Sequence, residues 1–171
     1  WSFRRSKWFN AMEKECKNVK ENVGLLDMTA FAKCRIKGPG AEEFLDSLVA
    51  NKLPKKVGRI NLCHALNTKG GVHSEFTIMR EANDSFYLVS AGAFQRLDHD
   101  WILKWMPTDG SVQFENLTNS NGVLVVSGPK ARELLQRVSK DDFSNENFKW
   151  LSAKMVDIGY APVNAMRVNF V

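Results

Sequence analysis

The chain lacks the short signatures that identify most functional classes. Its 171 residues include only three cysteines, Cys16, Cys34 and Cys63, an odd number at wide spacing. That argues against a disulfide framework and against a zinc site, and a reducing compartment is the simpler inference. No H-x-x-x-H or C-x-x-C spacing occurs, so no metal is expected. Neither G-x-G-x-x-G nor G-x-x-x-x-G-K-S/T is present, so this segment has no flavin or nicotinamide fingerprint of its own. No nucleophile-elbow sequence supports a hydrolase triad, although a Ser-His-Asp or Cys-His site is defined in space and stays open at this level. No apolar run reaches the ~18 residues that span a bilayer, and no signal-peptide pattern opens the chain.

What is present is a folded composition, 44% hydrophobic and 25% charged. The formal net charge is +5, with much of the excess at Arg4, Arg5, Lys7 and at Lys52, Lys55, Lys56, Arg59. No nucleic-acid motif accompanies it, so nucleic acid is not the expected partner. Solubilising surface charge and a polyanionic small ligand both account for it. The chain opens at Trp1 without a Met and stops inside an alternating, strand-like run, Met166 to Val171. It reads as a piece of a longer polypeptide, truncated at the C-terminus.

Hydrophobic periodicity lays out the elements. Trp8, Met12, Cys16, Val19 and Val23 share one side of a helix over residues 7–23, with Gly24 as its stop. Ala32, Cys34 and Ile36 alternate with Lys33, Arg35 and Lys37, which predicts a strand with one solvated face. Gly38-Pro39 opens a helix whose buried stripe is Ala41, Phe44, Leu45, Leu48 and Val49. Strands are expected at 60–66, 76–79, 86–90, 111–117, 122–127, 153–158 and 163–170. A helix over 94–105 presents Phe94, Leu97, Trp101 and Trp105.

One unit occurs twice. Gly38-Pro39-Gly40-Ala41-Glu42-Glu43-Phe44-Leu45 matches Gly128-Pro129-Lys130-Ala131-Arg132-Glu133-Leu134-Leu135 in Gly, Pro, Ala, Glu and Leu, each copy after a strand. The expected fold is α+β: two related lobes of largely antiparallel sheet with flanking helices, roughly 1–110 and 111–171.

The chemistry centres on Asn67-Thr68-Lys69-Gly70-Gly71-Val72-His73-Ser74-Glu75. Adjacent glycines between strands signal a tight hairpin. That hairpin delivers Glu75 to the start of an apolar strand, where Glu75, Thr77 and Met79 share one face and Phe76 and Ile78 the other. Glu75 is there solvated, paired, or used on a ligand nitrogen. Of the histidines, His64 reads as a residue of the core face, His73 as part of the turn, and His99 as solvated. Of the tryptophans Trp1, Trp8, Trp101, Trp105 and Trp150, core packing accounts for most, and Trp150 is the best candidate to stack a flat heterocycle.

Taken in order, Asn22-Val23-Gly24-Leu25-Leu26-Asp27, Gly38-Pro39-Gly40-Ala41, Leu66-Asn67-Thr68-Lys69-Gly70-Gly71, Ser127-Gly128-Pro129-Lys130-Ala131-Arg132 and Phe148 to Ser152 resemble the folate-binding domain of the glycine-cleavage T-protein (aminomethyltransferase) superfamily. Trp8-Phe9, Asp27 to Lys33 and Asn51 to Ile60 look most like the C-terminal half of dimethylglycine and sarcosine dehydrogenases. The resemblance implies capture of a one-carbon unit from a methylated amine as 5,10-methylenetetrahydrofolate, with tetrahydrofolate as cofactor. FAD would sit only in a separate N-terminal flavin domain. A stand-alone aminomethyltransferase working with a lipoyl carrier protein, a sulfonium demethylase and a non-catalytic folate-binding module are the alternatives.

The resemblance also implies site residues. Glu75 stands where T-proteins have an Asp near the reactive folate nitrogens. Ser90 falls at the position of an Asn beside the pterin, Trp150 at a pocket-lining aromatic, and Leu62 in place of a Tyr. A Gly-Glu-x-Gly segment and a later Arg of the family are not in this chain. The implied location is a bacterial cytoplasm or a mitochondrial matrix.

Overall fold

The protein is described by a computed structural model covering residues 3–169. Trp1, Phe170 and Val171 lie outside those residues. The element order is α1 (Phe9–Glu21), β1 (Gly24–Asp27), β2 (Ala32–Lys37), α2 (Ala41–Leu48), β3 (Ile60–Leu66), β4 (Val72–Ala82), β5 (Ser85–Ser90), α3 (Gln95–Trp105), β6 (Gln113–Asn116), β7 (Leu124–Ser127), α4 (Ala131–Val138), β8 (Ser152–Ile158) and β9 (Ala161–Arg167). A single 3-10 turn, Gly92–Phe94, leads into α3. The expected mixed fold of antiparallel sheets with flanking helices is what forms: every strand pairing is antiparallel.

The main sheet has the order β3-β4-β5-β2-β6; β1 pairs with β7, and β8 with β9. Alternation along the strands gives the main sheet two unlike faces. One carries Cys34, Ile36, Cys63, Ala65, Phe76, Ile78, Phe86 and Leu88 against Ala41, Phe44, Leu45 and Leu48 of α2 and Ile102 of α3, all buried in one cluster. On the other face Ile60, Met79 and Tyr87 are packed by Leu151, Ala153 and Met166, so the β8–β9 region covers part of it.

The repeated Gly-Pro unit has one geometry in both copies. Gly38 and Gly128 have φ of 123° and 124°, and the carbonyl of each accepts the Ala41 or Ala131 amide at 3.0 Å. A Cβ on Gly38 would meet the Ser111 carbonyl oxygen at 2.4 Å, and one on Gly128 the Asn22 carbonyl oxygen at 2.5 Å. Both positions therefore need glycine twice over, for torsion and for space. The copies are interlocked. Gly40 donates to Ser111 just before β6, which pairs with β2; Lys130 donates to Asn22 just before β1, which pairs with β7. Each unit thus docks on the start of a strand from the other half, and both strand pairings cross residue 110.

Several expectations of burial are corrected. The face of β2 bearing Lys33 is not solvated there. Lys33 is 0% exposed and its Nζ donates to the Thr29 carbonyl at 2.7 Å, while Arg35 is held between Glu81 and Glu115. Loss of hydration lowers the Lys33 pKa, opposed by the nearby Asp27 carboxylate. On α3 the stripe Phe94, Leu97, Trp105 faces outward; the buried residues are Asp98 and Ile102. The residues of α1 are all at least partly exposed, so its apolar side covers no core.

Candidate functional site

The hairpin joining β3 and β4 is built as its sequence requires. Asn67 closes it: its amide donates to the Gly71 carbonyl at 2.8 Å, and its side-chain oxygen accepts the Lys69 and Gly71 amides. Gly70 takes φ 79°. The ladder then slips: Ala65 pairs with Ser74 but Leu66 with Val72, leaving His73 as an extra residue of β4. Such a bulge re-aims the side chains around it. His73 stacks on Trp101 of α3, ring centroids 4.1 Å apart, and so belongs to β4 and the α3 side instead of the turn.

Glu75 follows the bulge on the other face, directly opposite His64. The His64 Nε2 and Glu75 Oε2 are 2.9 Å apart. His64 was expected on the core face; the structure reverses this. Cys63 and Ala65 are buried, so the intervening His64 and the neighbouring Leu62 point away from the core. His64 shares the face of Ile60, and that face is apolar only where Leu151 and Met166 cover it. His99 is also corrected: it is half-buried, edge-on to Phe114 at 5.0 Å, and burial lowers its pKa against the opposing pull of Asp98 and Asp100.

Leu62 pairs with Thr77, Thr77 with Val89, and Val89 with Lys33, which makes one row across the sheet. Glu75 and His64 sit one step beyond that row. Leu62 is 46% exposed and the Glu75 side chain 61% exposed. Trp150 joins this edge. The Arg59 guanidinium donates to its carbonyl at 3.2 Å, and the Ile60 amide donates to the Leu151 carbonyl at 3.0 Å. Leu151 has φ 53°, a left-handed conformation costly for a branched residue. Trp150, on that turn, is 59% exposed.

Ser90 is set apart from these three. In the register of β4 with β5 it belongs to the core face with Phe86 and Leu88. Its hydroxyl donates to the Asp98 carboxylate at 2.6 Å, and Asp98 is 2% exposed. The structure therefore brings Glu75 and Leu62 to one side and adds His64 and Thr77, neither of which the sequence placed in the site. Cross-strand parity with Glu75 was the signal available for both.

Two open clefts of about 490 Å³ each lie on the surface, and Glu75 lines neither. One is polar, formed by Thr29, Gln95, Thr118, Asn119, Ser120 and Asn121, among others. The other runs beside β3 between Lys52, Lys55, Lys56, Arg59 and Asn61. Among the described residues no three His, Cys, Asp or Glu side chains converge as a metal site would require, and no helix is long and apolar enough to cross a membrane.

The profile of the GCVT N-terminal domain matches residues 1–171. The chain belongs to that family. It is 37% identical over 170 residues to mitochondrial dimethylglycine dehydrogenase of Mus musculus, covering 99% of this chain and 19% of that protein. It is 32% identical over 169 residues to the mitochondrial pyruvate dehydrogenase phosphatase regulatory subunit of Mus musculus, covering 98% of this chain and 19% of the relative. The chain thus spans about a fifth of these curated relatives. The fold matches the glycine cleavage system aminomethyltransferase T of Bartonella henselae with a TM-score of 0.72 at 21% identity, over 82% of this chain and 37% of that one.

Proposed function

We propose that this domain binds tetrahydrofolate on the open face beside β3 and β4 and serves its conversion to 5,10-methylenetetrahydrofolate. The one-carbon donor is a methylated amine of the dimethylglycine or sarcosine type. One observation carries the reading: Glu75 and Leu62 stand clear of the core on one face of β3 and β4, in a member of the GCVT family. A reduced pteridine is flat, with polar ring nitrogens along its edges. An exposed indole and an aliphatic side chain suit its faces, and a carboxylate suits its N–H groups. When bound, tetrahydrofolate supplies the nitrogen nucleophiles that accept the one-carbon unit.

The chain's own residues then have simple tasks. Glu75 accepts a hydrogen bond from a ring or side-arm nitrogen and takes the proton released there. His64 holds that carboxylate by the 2.9 Å contact across the hairpin. A bound ring would itself shield Glu75 from water, which strengthens both interactions. The partner in this reading is an N-terminal flavin domain that oxidises the amine, with a lipoyl carrier protein as the alternative. The location is a mitochondrial matrix or a bacterial cytoplasm.

The test is Glu75→Gln in the full-length polypeptide. Methylene transfer to tetrahydrofolate should fall by ~10²–10⁴. Rapid-quench assay of 5,10-methylenetetrahydrofolate reads this directly, and an unchanged rate removes Glu75 from the chemistry. A second reading, a regulatory or ligand-sensing module without turnover, is favoured by the likeness to a protein named as a regulatory subunit. Folate binding with no transfer in the wild-type protein would establish it.

A further inference from the structure

The lysines and arginines on the strands of the main sheet are Lys33, Arg35, Lys37 and Arg80. Arg35 is neutralised by Glu81 and Glu115, Lys37 by Glu115, and Arg80 by Glu42. Lys33 is 0% exposed, yet among the described residues no carboxylate lies within ion-pair distance of it. Its ammonium donates to the Thr29 carbonyl at 2.7 Å, which uses one of its three N–H donors. The Asp27 carboxylate acts on it only from a distance, and itself accepts the Thr29 amide. A buried charge that rests on one neutral acceptor is costly.

Its place in the sheet gives it a use. Lys33 ends the row that starts at Leu62 and runs through Thr77 and Val89. Thr29 precedes β2, so the side chain leans toward the start of that strand. In the antiparallel register this is the end at which Glu75 lies on β4, on the same face. Two strand spacings, about 10 Å, separate β2 from β4 there. Ala91, which follows β5 between them, is small and exposed. The polar cleft opens beside Lys33. Thr29 and Thr118 line it, and both touch Lys33: the Thr118 hydroxyl oxygen accepts the Lys33 amide at 3.1 Å. Gln95, Asn119, Ser120 and Asn121 add amide and hydroxyl groups, and no lining residue is acidic. Neutral donors backed by an unpaired cation favour an anion.

We propose that this cleft holds the carboxylate of the one-carbon donor, with Lys33 as its cation, while Glu75 faces the folate. The inference rests on the folate reading for the identity of the donor. Dimethylglycine and sarcosine each carry a carboxylate two bonds from the nitrogen. With that carboxylate at Lys33, the nitrogen and its one-carbon unit lie on the side toward Glu75. The lysine stem is flexible, so the ammonium keeps its Thr29 contact and turns a second N–H to the ligand. Such a subsite selects amino-acid donors over donors that have no carboxylate, free formaldehyde among them.

The experiment uses the full-length polypeptide with its flavin domain. Dimethylglycine is oxidised in the presence of tetrahydrofolate. Rapid quench then measures the ratio of 5,10-methylenetetrahydrofolate formed to formaldehyde released. In Lys33→Met and Lys33→Gln that ratio should fall about tenfold or more, as loss of a hydrogen bond from a charged group does. Lys33→Gln keeps a donor for the Thr29 carbonyl and carries the test if Lys33→Met is unstable. Flavin reduction, tetrahydrofolate affinity and catalysed transfer from added formaldehyde should stay at the wild-type level. An unchanged ratio in the variants overturns the subsite. An equal fall with added formaldehyde overturns it too, since it marks Lys33 as structural. If the wild type transfers from neither donor, the folate reading fails, and calorimetry with methoxyacetate, a carboxylate of the donor's size, decides alone. A methoxyacetate site that the variants lose upholds a carboxylate subsite. A titration identical in wild type and variants, as binding in the flavin domain alone would give, overturns it.

Discussion

The two faces of the five-stranded sheet come from the same strands and share the same backbone ladder, yet they have separate uses. On one face Cys63, Ala65, Phe76, Ile78, Phe86 and Leu88 are buried without a break against α2 and α3. On the other, apolar packing is local, around Ile60, Met79 and Tyr87, and it stops at Leu62, His64, Glu75 and Thr77. The difference teaches where the chemistry has room. A side chain committed to the core cannot also meet a ligand, and period-two alternation releases every second residue of β3 and β4 from that duty.

Stability should separate the faces most sharply. Phe76 is 1% exposed, so Phe76→Ala should cost about 3–5 kcal/mol through lost burial and the cavity left behind. Leu62→Ala, on the opposite face of the neighbouring strand, should change stability by no more than about 0.5 kcal/mol while weakening tetrahydrofolate binding. Urea unfolding of the two variants makes the comparison. Similar losses at both positions would mean that the second face is packed after all.

Lys33 sharpens the comparison, because it lies on the second face yet is fully buried. Burial lowers its pKa below the ordinary 10.5. Between that lowered value and 10.5, the unfolded chain holds a proton that the folded chain has released, so stability rises with pH across the window. Lys33→Met keeps the length of the side chain and removes the charge. It should be neutral or stabilising by on the order of 1 kcal/mol at neutral pH, and it should abolish the rise. Thermal unfolding at a series of pH values up to 10.5 reads both effects. A wild-type curve flat in pH would mean that Lys33 keeps its hydration.

Much of this was legible in residue order. The repeated Gly-Pro unit, the hairpin glycines and the alternation in β4 each name a local geometry that the backbone must adopt, and each is found. Face assignment on β3 was not legible, because Ile60 and Cys63 are both buried but on opposite sides, and only the tertiary position of β8 and β9 explains it. The solvated reading of Lys33 failed for a similar reason: the Thr29 carbonyl and Thr118, which enclose it, come from loops with no periodicity to reveal them. The bulge at His73 was hidden too, since one unpaired residue leaves no compositional trace. Interlocking of the two units also escaped notice, because β6 and β7 exchange partners with β1 and β2 at long range.

The smallest effect probes β3 from within. Cys63 lies between Leu62 and His64 but points to the core, and burial pushes its thiol up to about 11. Cys34, buried in β2, is pushed up to about 12 by burial and by the Asp98 charge. A thiol held neutral and covered does not react, whereas Cys16 on α1 is exposed. Near pH 8 a maleimide should therefore label Cys16 alone in the native chain, and all three cysteines after denaturation, with no loss of folate binding from the first modification. Mass spectrometry of tryptic peptides assigns the label. Rapid labelling of Cys63 in the native protein would mean that β3 presents its odd-numbered residues outward, and with that register Leu62 and His64 would turn inward and leave Glu75 without its cross-strand partner.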